Sequence, residues 1–163
     1  MNPNVVASYA LIKRLKDRGV TNAVISPGSR STALAFAAEK LLEAQVVIDE
    51  RAAGFLALGI AETSLRPVIV ITTSGSAPTH LYPAVVEASQ SNIGLILLTA
   101  DRPHEMRGRG APQTIDQLNL YSNSVKLFVD GECPHDNDDE DYWQQIADQL
   151  YSQSDMDAPD CGP

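Results

Sequence analysis

The sequence predicts an α/β domain of three layers, in which helices cover both faces of a doubly wound parallel sheet. Stretches rich in aliphatic and β-branched residues alternate along the chain with stretches of helical periodicity, which is typical of successive βαβ units. The central stretches 68–71 and 95–98, Val-Ile-Val-Ile and Leu-Ile-Leu-Leu, are apolar at every position rather than at alternate positions. This pattern indicates strands buried on both faces, as in a parallel sheet.

The elements follow from local signals. Apolar residues at helical spacing over 5–18, with Lys and Arg in the last turn and Gly19 after it, predict the first helix. The β-rich stretch 20–26 predicts the first strand, broken at Pro27-Gly28, and Ser31 or Thr32 can cap the next helix. The same reasoning predicts strands over 45–49, 67–72, 93–99 and 124–129, helices over 51–63 and 77–88 with a kink at Pro83, and a short helix over 115–121.

Length and composition indicate one globular domain. The chain has 163 residues, of which 44% are hydrophobic and 20% charged, so one core of ordinary size is expected. No apolar run approaches the roughly 20 residues of a membrane span. The N-terminal residues lack the basic and apolar pattern of a signal peptide, so a cytoplasmic location is expected.

Charge is unevenly distributed. Residues 130–163 carry 11 of the 21 acidic residues and none of the 12 basic ones, so the net charge of −9 describes the C-terminal region. The slightly basic remainder suits small anionic ligands, and the lack of a Lys and Arg stripe with interleaved aromatics argues against nucleic acid. We expect a domain over 1–130 and an acidic linker over 131–163, with a possible helix over 140–151 and a disordered end.

Four predicted strand-to-helix loops collect polar residues. Right-handed crossovers place all such loops at one edge of a parallel sheet, where open α/β folds bind ligands. Glycine-containing turns offer backbone N–H groups to an anion, and Arg30 and Arg102 add forked donors. Ordinary turns and surface ion pairs explain any single loop equally well, but the four together favour a binding edge. The loops are 26–32, 49–51, 72–76 and 99–103.

Glu50 is the acid of most interest because it lies where a strand ends and a helix begins. The small and apolar residues 52–55 follow it. A partly dehydrated carboxylate there would hydrogen-bond a ligand nitrogen directly, which is useful in proton transfer. An acid that stabilises the helix dipole, or one paired with Arg51, is the commoner situation, and position alone leaves these explanations open.

Five motifs together resemble one enzyme family. They are Ile-Ser-Pro-Gly-Ser-Arg-Ser-Thr over 25–32, Asp-Glu-Arg-Ala-Ala-Gly-Phe-Leu-Ala-Leu-Gly over 49–59, Thr-Thr-Ser-Gly-Ser-Ala over 72–77, Leu-Tyr-Pro-Ala-Val-Val-Glu-Ala over 81–88 and Leu-Leu-Thr-Ala-Asp-Arg-Pro over 97–103. Over about 5–129 the chain resembles the Rossmann-like pyrimidine-binding domain of SEPHCHC synthases. These are 2-succinyl-5-enolpyruvyl-6-hydroxy-3-cyclohexene-1-carboxylate synthases, thiamine-diphosphate enzymes of menaquinone biosynthesis. Many thiamine-diphosphate enzymes share the second motif, whereas the first and last point to this family.

The resemblance implies roles for particular residues. Glu50 would be catalytic and would hydrogen-bond the aminopyrimidine ring of thiamine diphosphate. The loop of Thr73, Ser74 and Gly75 would lie against that ring. Isochorismate or its adduct would contact Ser29, Arg30, Arg102 and Gln113.

The resemblance also implies the reaction and the assembly. The enzyme would decarboxylate 2-oxoglutarate and add the succinyl unit to isochorismate, with Mg²⁺ bound mainly by a diphosphate-binding domain. Each active site would lie between the pyrimidine domain of one subunit and the diphosphate domain of another, in a homodimer or homotetramer formed through the pyrimidine domain. We therefore expect this chain alone to be inactive.

Two alternatives remain open. The first is another thiamine-diphosphate enzyme, of the acetohydroxyacid-synthase or decarboxylase kind, which would share Glu50 but not Arg30 and Arg102. The second is a non-catalytic module that uses its loops for ligand binding or dimerisation.

Overall fold

A computed structural model describes residues 2–135 and 140–163. Four parallel strands form one sheet in the order β2-β1-β3-β4. This architecture confirms the predicted α/β fold. The strands are β1 (Asn22–Ile25), β2 (Glu43–Val46), β3 (Val68–Thr72) and β4 (Leu95–Thr99), and the helices are α1 (Pro3–Arg18), α2 (Thr32–Leu41), α3 (Glu50–Ser64), α4 (Tyr82–Ser91) and α5 (Glu140–Ser154).

The central strand β3 divides the core into two layers. All five of its residues are buried. Ile69 and Ile71 lie in a cluster with side chains of α1, α2 and α5, whereas Val68 and Val70 lie in a cluster with side chains of α3 and α4. Burial on both faces explains why the stretch is apolar at every position.

Local signals set both ends of α1, of which the sequence analysis predicted the C-terminal one. The Asn2 side chain accepts a hydrogen bond from Asn4 N at 2.9 Å, and Pro3 occupies the first helical position. The helix ends at Gly19, whose φ of 116° is a left-handed conformation that favours glycine. The sequence therefore determines this helix at both ends.

The kink expected at Pro83 was wrong. A 3₁₀ turn over Ala77–Leu81 precedes α4, and Pro83 lies in the first turn of that helix. A proline costs little at this position because its missing N–H would have had no partner within the helix.

The strand expected over 124–129 and the short helix expected over 115–121 were also wrong. Turns occupy most of the second stretch, with a positive φ at Asn119, and a 3₁₀ turn follows it over Ser122–Ser124. Lys126 N donates to Pro163 O at 2.7 Å rather than to a β4 carbonyl. β-propensity reports how side chains fit a half-buried surface and does not specify a pairing partner.

Helix α5 packs on the body of the domain. Ile146 and Ala147 are buried in the cluster that contains Leu15 of α1. Residues 136–139 of the predicted acidic linker lie outside the described residues. Of the five helices in the described parts of the chain, none is long and apolar enough to cross a membrane.

The final residues differ from the disordered end expected from the sequence. Ser154 and Cys161 are 1% and 3% exposed. The thiol of Cys161 donates to Asn92 O at 2.7 Å, and Gly162 N donates to Gln153 O at 3.0 Å. Contacts made largely with backbone groups leave no signal in composition, which is why the sequence pointed to disorder.

Candidate functional site

The loops that follow β1 and β3 are in direct contact at the C-terminal edge of the sheet. A Cβ added to Gly28 would approach Thr73 Oγ1 and Cγ2 to 2.7 Å each, so only glycine fits there. The Ser26 hydroxyl donates to Val47 O at 3.0 Å and ties the end of β1 to the segment after β2. The predicted binding edge is therefore a set of interlocked loops.

The two candidate substrate arginines converge on one backbone carbonyl. Arg30 Nη2 and Arg102 Nη2 both donate to Pro112 O, at 3.4 and 3.1 Å. Within the described residues, the buried Arg30 Nη1 and Arg102 Nε atoms have no hydrogen-bond partner. Buried donors are usually paired, so these two suit an anionic ligand.

A cavity of about 830 Å³ opens beside these arginines. Its wall includes the start of α2 and the loop after β4. Ser29, which was expected to contact substrate, lines the same cavity as Arg30 and Arg102. Three of the four expected substrate residues are thus brought together.

Gln113, the fourth, is directed onto the loop after β3. Its side-chain Nε2 donates to Ser74 O at 3.0 Å and to Thr73 Oγ1 at 3.3 Å. Its backbone carbonyl accepts a hydrogen bond from Ser74 Oγ at 2.9 Å. Gly75 has φ 87°, and a Cβ there would lie 2.8 Å from Gln113 Cγ. Gln113 therefore holds the three residues expected to face the pyrimidine, and its contact with substrate stays a prediction.

Glu50 begins α3 and is half-buried. Its neighbour Arg51 pairs with Asp49, with Nη2–Oδ2 at 2.6 Å and Nε–Oδ1 at 3.0 Å. Asp49 also caps the helix by accepting from Arg51 N, and the hydrogen bonds from Arg51 hold the pKa of the Asp49 carboxyl well below its usual range. Arg51 is therefore not the partner of Glu50. The helix-dipole explanation and the ligand-binding explanation remain.

Sequence reasoning missed the role of Arg107. Its Nη1 and Nη2 bind Asp130 at 2.8 and 2.9 Å, and its Nε lies 3.0 Å from Asp101 Oδ2 and 3.3 Å from Arg102 O. The hydrogen bonds from Arg107 lower the pKa of Asp130. Arg107 thus fixes the loop that carries Arg102. The sequence gives no signal for its pairing with Asp130, because the two residues lie 23 positions apart.

Sequence reasoning also missed Gln117, which is 8% exposed. Its Oε1 accepts from Gly75 N at 3.0 Å, and its Nε2 donates to Ala100 O at 3.1 Å. A glutamine in an irregular segment carries no sequence signal for burial. Gln117 connects the loop after β3 to the loop after β4.

Comparison with protein families decides what kind of domain this is. The family model described as "Thiamine pyrophosphate enzyme, N-terminal TPP binding domain" matches residues 6–120. The chain belongs to this family. The matched residues include all four loops that carry the residues the resemblance assigned to cofactor and substrate.

Curated relatives of this TPP-binding domain carry one name. Proteins of Listeria innocua and Geobacillus kaustophilus are 54% identical over 132 and 136 residues, covering 80% and 82% of this chain. A protein of Enterococcus faecalis is 46% identical over 155 residues, covering 92% of it. All three are named 2-succinyl-5-enolpyruvyl-6-hydroxy-3-cyclohexene-1-carboxylate synthase, which confirms the resemblance. The chain spans about a quarter of their length, at 23%, 24% and 27%.

The residues of this TPP-binding domain fit the pyrimidine of the cofactor. The edge offers a half-buried carboxylate at Glu50, which forms no hydrogen bond to the described residues. It also offers the loop at 73–75, whose backbone is hydrogen-bonded by the side chains of Gln113 and Gln117. Gly28 keeps that loop close to the end of β1. Residues 2–135 and 140–163 contain no group of three His, Cys, Asp or Glu side chains arranged to hold a metal ion.

Proposed function

We propose that this chain is the pyrimidine-binding domain of a thiamine-diphosphate-dependent transferase, SEPHCHC synthase. The enzyme decarboxylates 2-oxoglutarate and adds the succinyl unit to isochorismate in menaquinone biosynthesis, in the cytoplasm. The observation that supports it most is the convergence of Arg30 and Arg102 on Pro112 O beside a cavity, with a buried donor nitrogen of each unpaired among the described residues.

Two arginines suit isochorismate because it is a dicarboxylate. Each guanidinium presents a planar fork that matches a carboxylate, and the contact to Pro112 O already fixes the orientation of both forks. Ser29 adds a hydroxyl to the same cavity wall. These three side chains would bind and orient the acceptor substrate.

Glu50 and the loop of Thr73, Ser74 and Gly75 would bind the cofactor. When bound, thiamine diphosphate supplies the electron sink for decarboxylation of a 2-oxo acid. The Glu50 carboxylate would accept a hydrogen bond from a pyrimidine ring nitrogen and so hold a proton at that atom. Gln113 and Gln117 keep the 73–75 loop in place through its backbone.

Mg²⁺ belongs to the proposed enzyme as the partner of the cofactor's diphosphate. The resemblance assigns it mainly to a diphosphate-binding domain.

We also propose that the enzyme is a homodimer or homotetramer formed through this domain. The supporting feature is a set of exposed apolar side chains on either side of Glu50 in the sequence: Val46 and Ile48 are 67% and 85% exposed, and Phe55 and Leu56 of α3 are 49% and 37% exposed. Large apolar side chains left exposed in this way suit an interface. Sedimentation of the complete enzyme and its Phe55→Glu variant tests the assignment, since equal masses would contradict it.

The decisive test uses the complete enzyme that carries this domain. With thiamine diphosphate, Mg²⁺, 2-oxoglutarate and isochorismate, it should release carbon dioxide and form the succinylated product. A preference for pyruvate over 2-oxoglutarate would instead support an acetohydroxyacid-synthase or decarboxylase activity. Absence of any turnover would support the non-catalytic module.

Glu50→Gln in that enzyme tests the proton-transfer role. Loss of a general acid or base typically lowers kcat by about 10²- to 10⁴-fold. The matched control is Glu62→Gln, at an exposed position of the same helix. If Glu50→Gln keeps normal turnover, Glu50 has only the helix-dipole role.

The isolated chain should be inactive, because the resemblance places the rest of each active site in another domain. Carbon dioxide release from 2-oxoglutarate by this polypeptide, measured with thiamine diphosphate and Mg²⁺, checks this. Appreciable turnover would overturn it.

A further inference from the structure

We propose that Gln117 is a positioning residue that sets the loop at 73–75 and the loop at 100–102 in a fixed relation. This inference rests on the proposed function, because it assigns the first loop to the cofactor and the second to the substrate. Gln117 is uncharged, and it also lines the cavity beside Arg30 and Arg102.

The geometry of the Gln117 amide carries the inference. Both ends of the side chain are used: Oε1 accepts from Gly75 N at 3.0 Å and Nε2 donates to Ala100 O at 3.1 Å. The residue is 8% exposed, so water competes little for these groups. One planar side chain therefore bridges two backbones at the ends of adjacent strands.

Each bridged backbone leads to a proposed site residue. Gly75 N belongs to the loop that Gln113 also holds, through Thr73 Oγ1 and Ser74 O. Ala100 is two residues before Arg102, whose guanidinium donates to Pro112 O. A displacement of either loop would be transmitted to the other through Gln117, because the amide cannot lengthen.

Other contacts connect the 73–75 loop and the 100–102 loop less completely than Gln117 does. The β3 and β4 backbones are paired up to Thr72 and Thr99, and Ala100 N donates to Thr72 O at 3.0 Å. Beyond that bond, among the described residues, Gln117 is the side chain that hydrogen-bonds both loops. Gln113 contacts only the 73–75 side through its amide, and Arg107 only the side that carries Arg102.

Two substitutions separate the two bonds. Gln117→Met keeps the length of the side chain and removes both bonds. Gln117→Glu keeps the acceptor for Gly75 N and replaces the donor to Ala100 O with a second acceptor. The matched control is Gln149→Met, at an exposed position of α5.

The first measurement is made on the 163-residue chain and does not depend on activity. Amide hydrogen exchange followed by NMR should show Gly75 N–H exchanging about tenfold faster in Gln117→Met, while Gln117→Glu keeps it protected. The resonances of Ala100 and Asp101 should move in both variants. An unchanged exchange rate of Gly75 N–H in Gln117→Met would overturn the proposal. If Gln117→Met does not fold, unchanged resonances of Ala100 and Asp101 in Gln117→Glu would overturn it instead.

The second measurement uses the complete enzyme. Gln117→Glu should raise KM for isochorismate about tenfold and leave the affinity for thiamine diphosphate unchanged. Gln117→Met should raise KM for isochorismate about tenfold and also lower the affinity for thiamine diphosphate about tenfold. A variant that lowers only the amount of folded enzyme, with normal KM and cofactor affinity, would overturn the positioning role. Absence of product in the wild-type enzyme would instead reject the proposed function and leave the exchange result standing.

Discussion

Gly28 lies against the side chain of Thr73, and the loops after β1 and β3 meet at this contact. An added Cβ would come within 2.7 Å of both Thr73 Cγ2 and Thr73 Oγ1. The backbone at Gly28 has φ −168°, an extended conformation open to any residue, so the requirement for glycine comes from the neighbouring loop. The contact keeps the loop proposed to face the cofactor at a fixed distance from the loop that carries Arg30.

Gly28→Ala should therefore destabilise the chain, because the added methyl group must push Thr73 away. Overpacking of this kind costs about 1–3 kcal/mol, and the free energy of unfolding from urea denaturation measures it. Gly59→Ala is the matched control, since a Cβ at Gly59 has no atom within 4 Å. That variant should gain about 0.5–1 kcal/mol, because alanine favours the helix. Equal stability of the two variants would contradict the tight contact at Gly28.

Arg107→Gln should raise the pKa of Asp130 towards its ordinary value. In the wild-type protein the Arg107 guanidinium donates two hydrogen bonds to the Asp130 carboxylate and lowers its pKa. A carboxyl whose pKa is depressed by folding stabilises the protein above its unfolded pKa of about 3.9, and that contribution is lost as pH falls through the folded value. NMR titration of the Asp130 carboxyl carbon measures the shift. Arg109→Gln, at an exposed position of the same loop, should leave the Asp130 pKa depressed.

Asp148→Asn should lower the melting temperature at pH 7 by a small amount. Asp148 accepts two hydrogen bonds from Arg14 of α1, at 3.0 and 2.9 Å, and these lower its pKa. The pair is partly exposed, so its contribution is modest. The depressed pKa means that the contribution is present above about pH 4 and disappears in stronger acid, so wild type and variant should converge near pH 2. Glu62→Gln serves as the control, and a gap independent of pH would argue against the ion pair.

Cys133 should react with a thiol reagent much faster than Cys161. Cys133 is exposed, whereas Cys161 is buried with its thiol donating to Asn92 O. Burial raises the pKa of the Cys161 thiol, so the reactive thiolate is scarcer at neutral pH. A colorimetric thiol assay should show one fast thiol in the folded chain and two in denaturant. Two fast thiols without denaturant would show that the C-terminal residues do not stay packed.

The sequence predicted the fold most accurately where one signal is local and strong. The apolar runs at 68–71 and 95–98 predicted buried parallel strands, and Gly19 predicted the end of α1, as the structure confirms. The stretch over 124–129 has the composition of a strand but pairs with no strand among the described residues, because pairing depends on where the rest of the chain lies. Pro83 was misplaced by one turn, since the sequence does not mark where a 3₁₀ turn gives way to a helix.

The candidate site shows the same division. The five motifs at 25–32, 49–59, 72–77, 81–88 and 97–103 predicted the TPP-binding family. The roles that the resemblance implies for Glu50 and the two arginines stay predictions. Only the tertiary structure decided that Arg51 pairs with Asp49, that both arginines meet at Pro112 O, and that Gln117 bridges Gly75 and Ala100. Periodicity and motifs are properties of neighbouring residues and can be read from the chain, whereas these contacts join residues 10 to 82 positions apart, or choose between two adjacent acids. Their geometry exists only once the sheet has brought its strand ends to one edge.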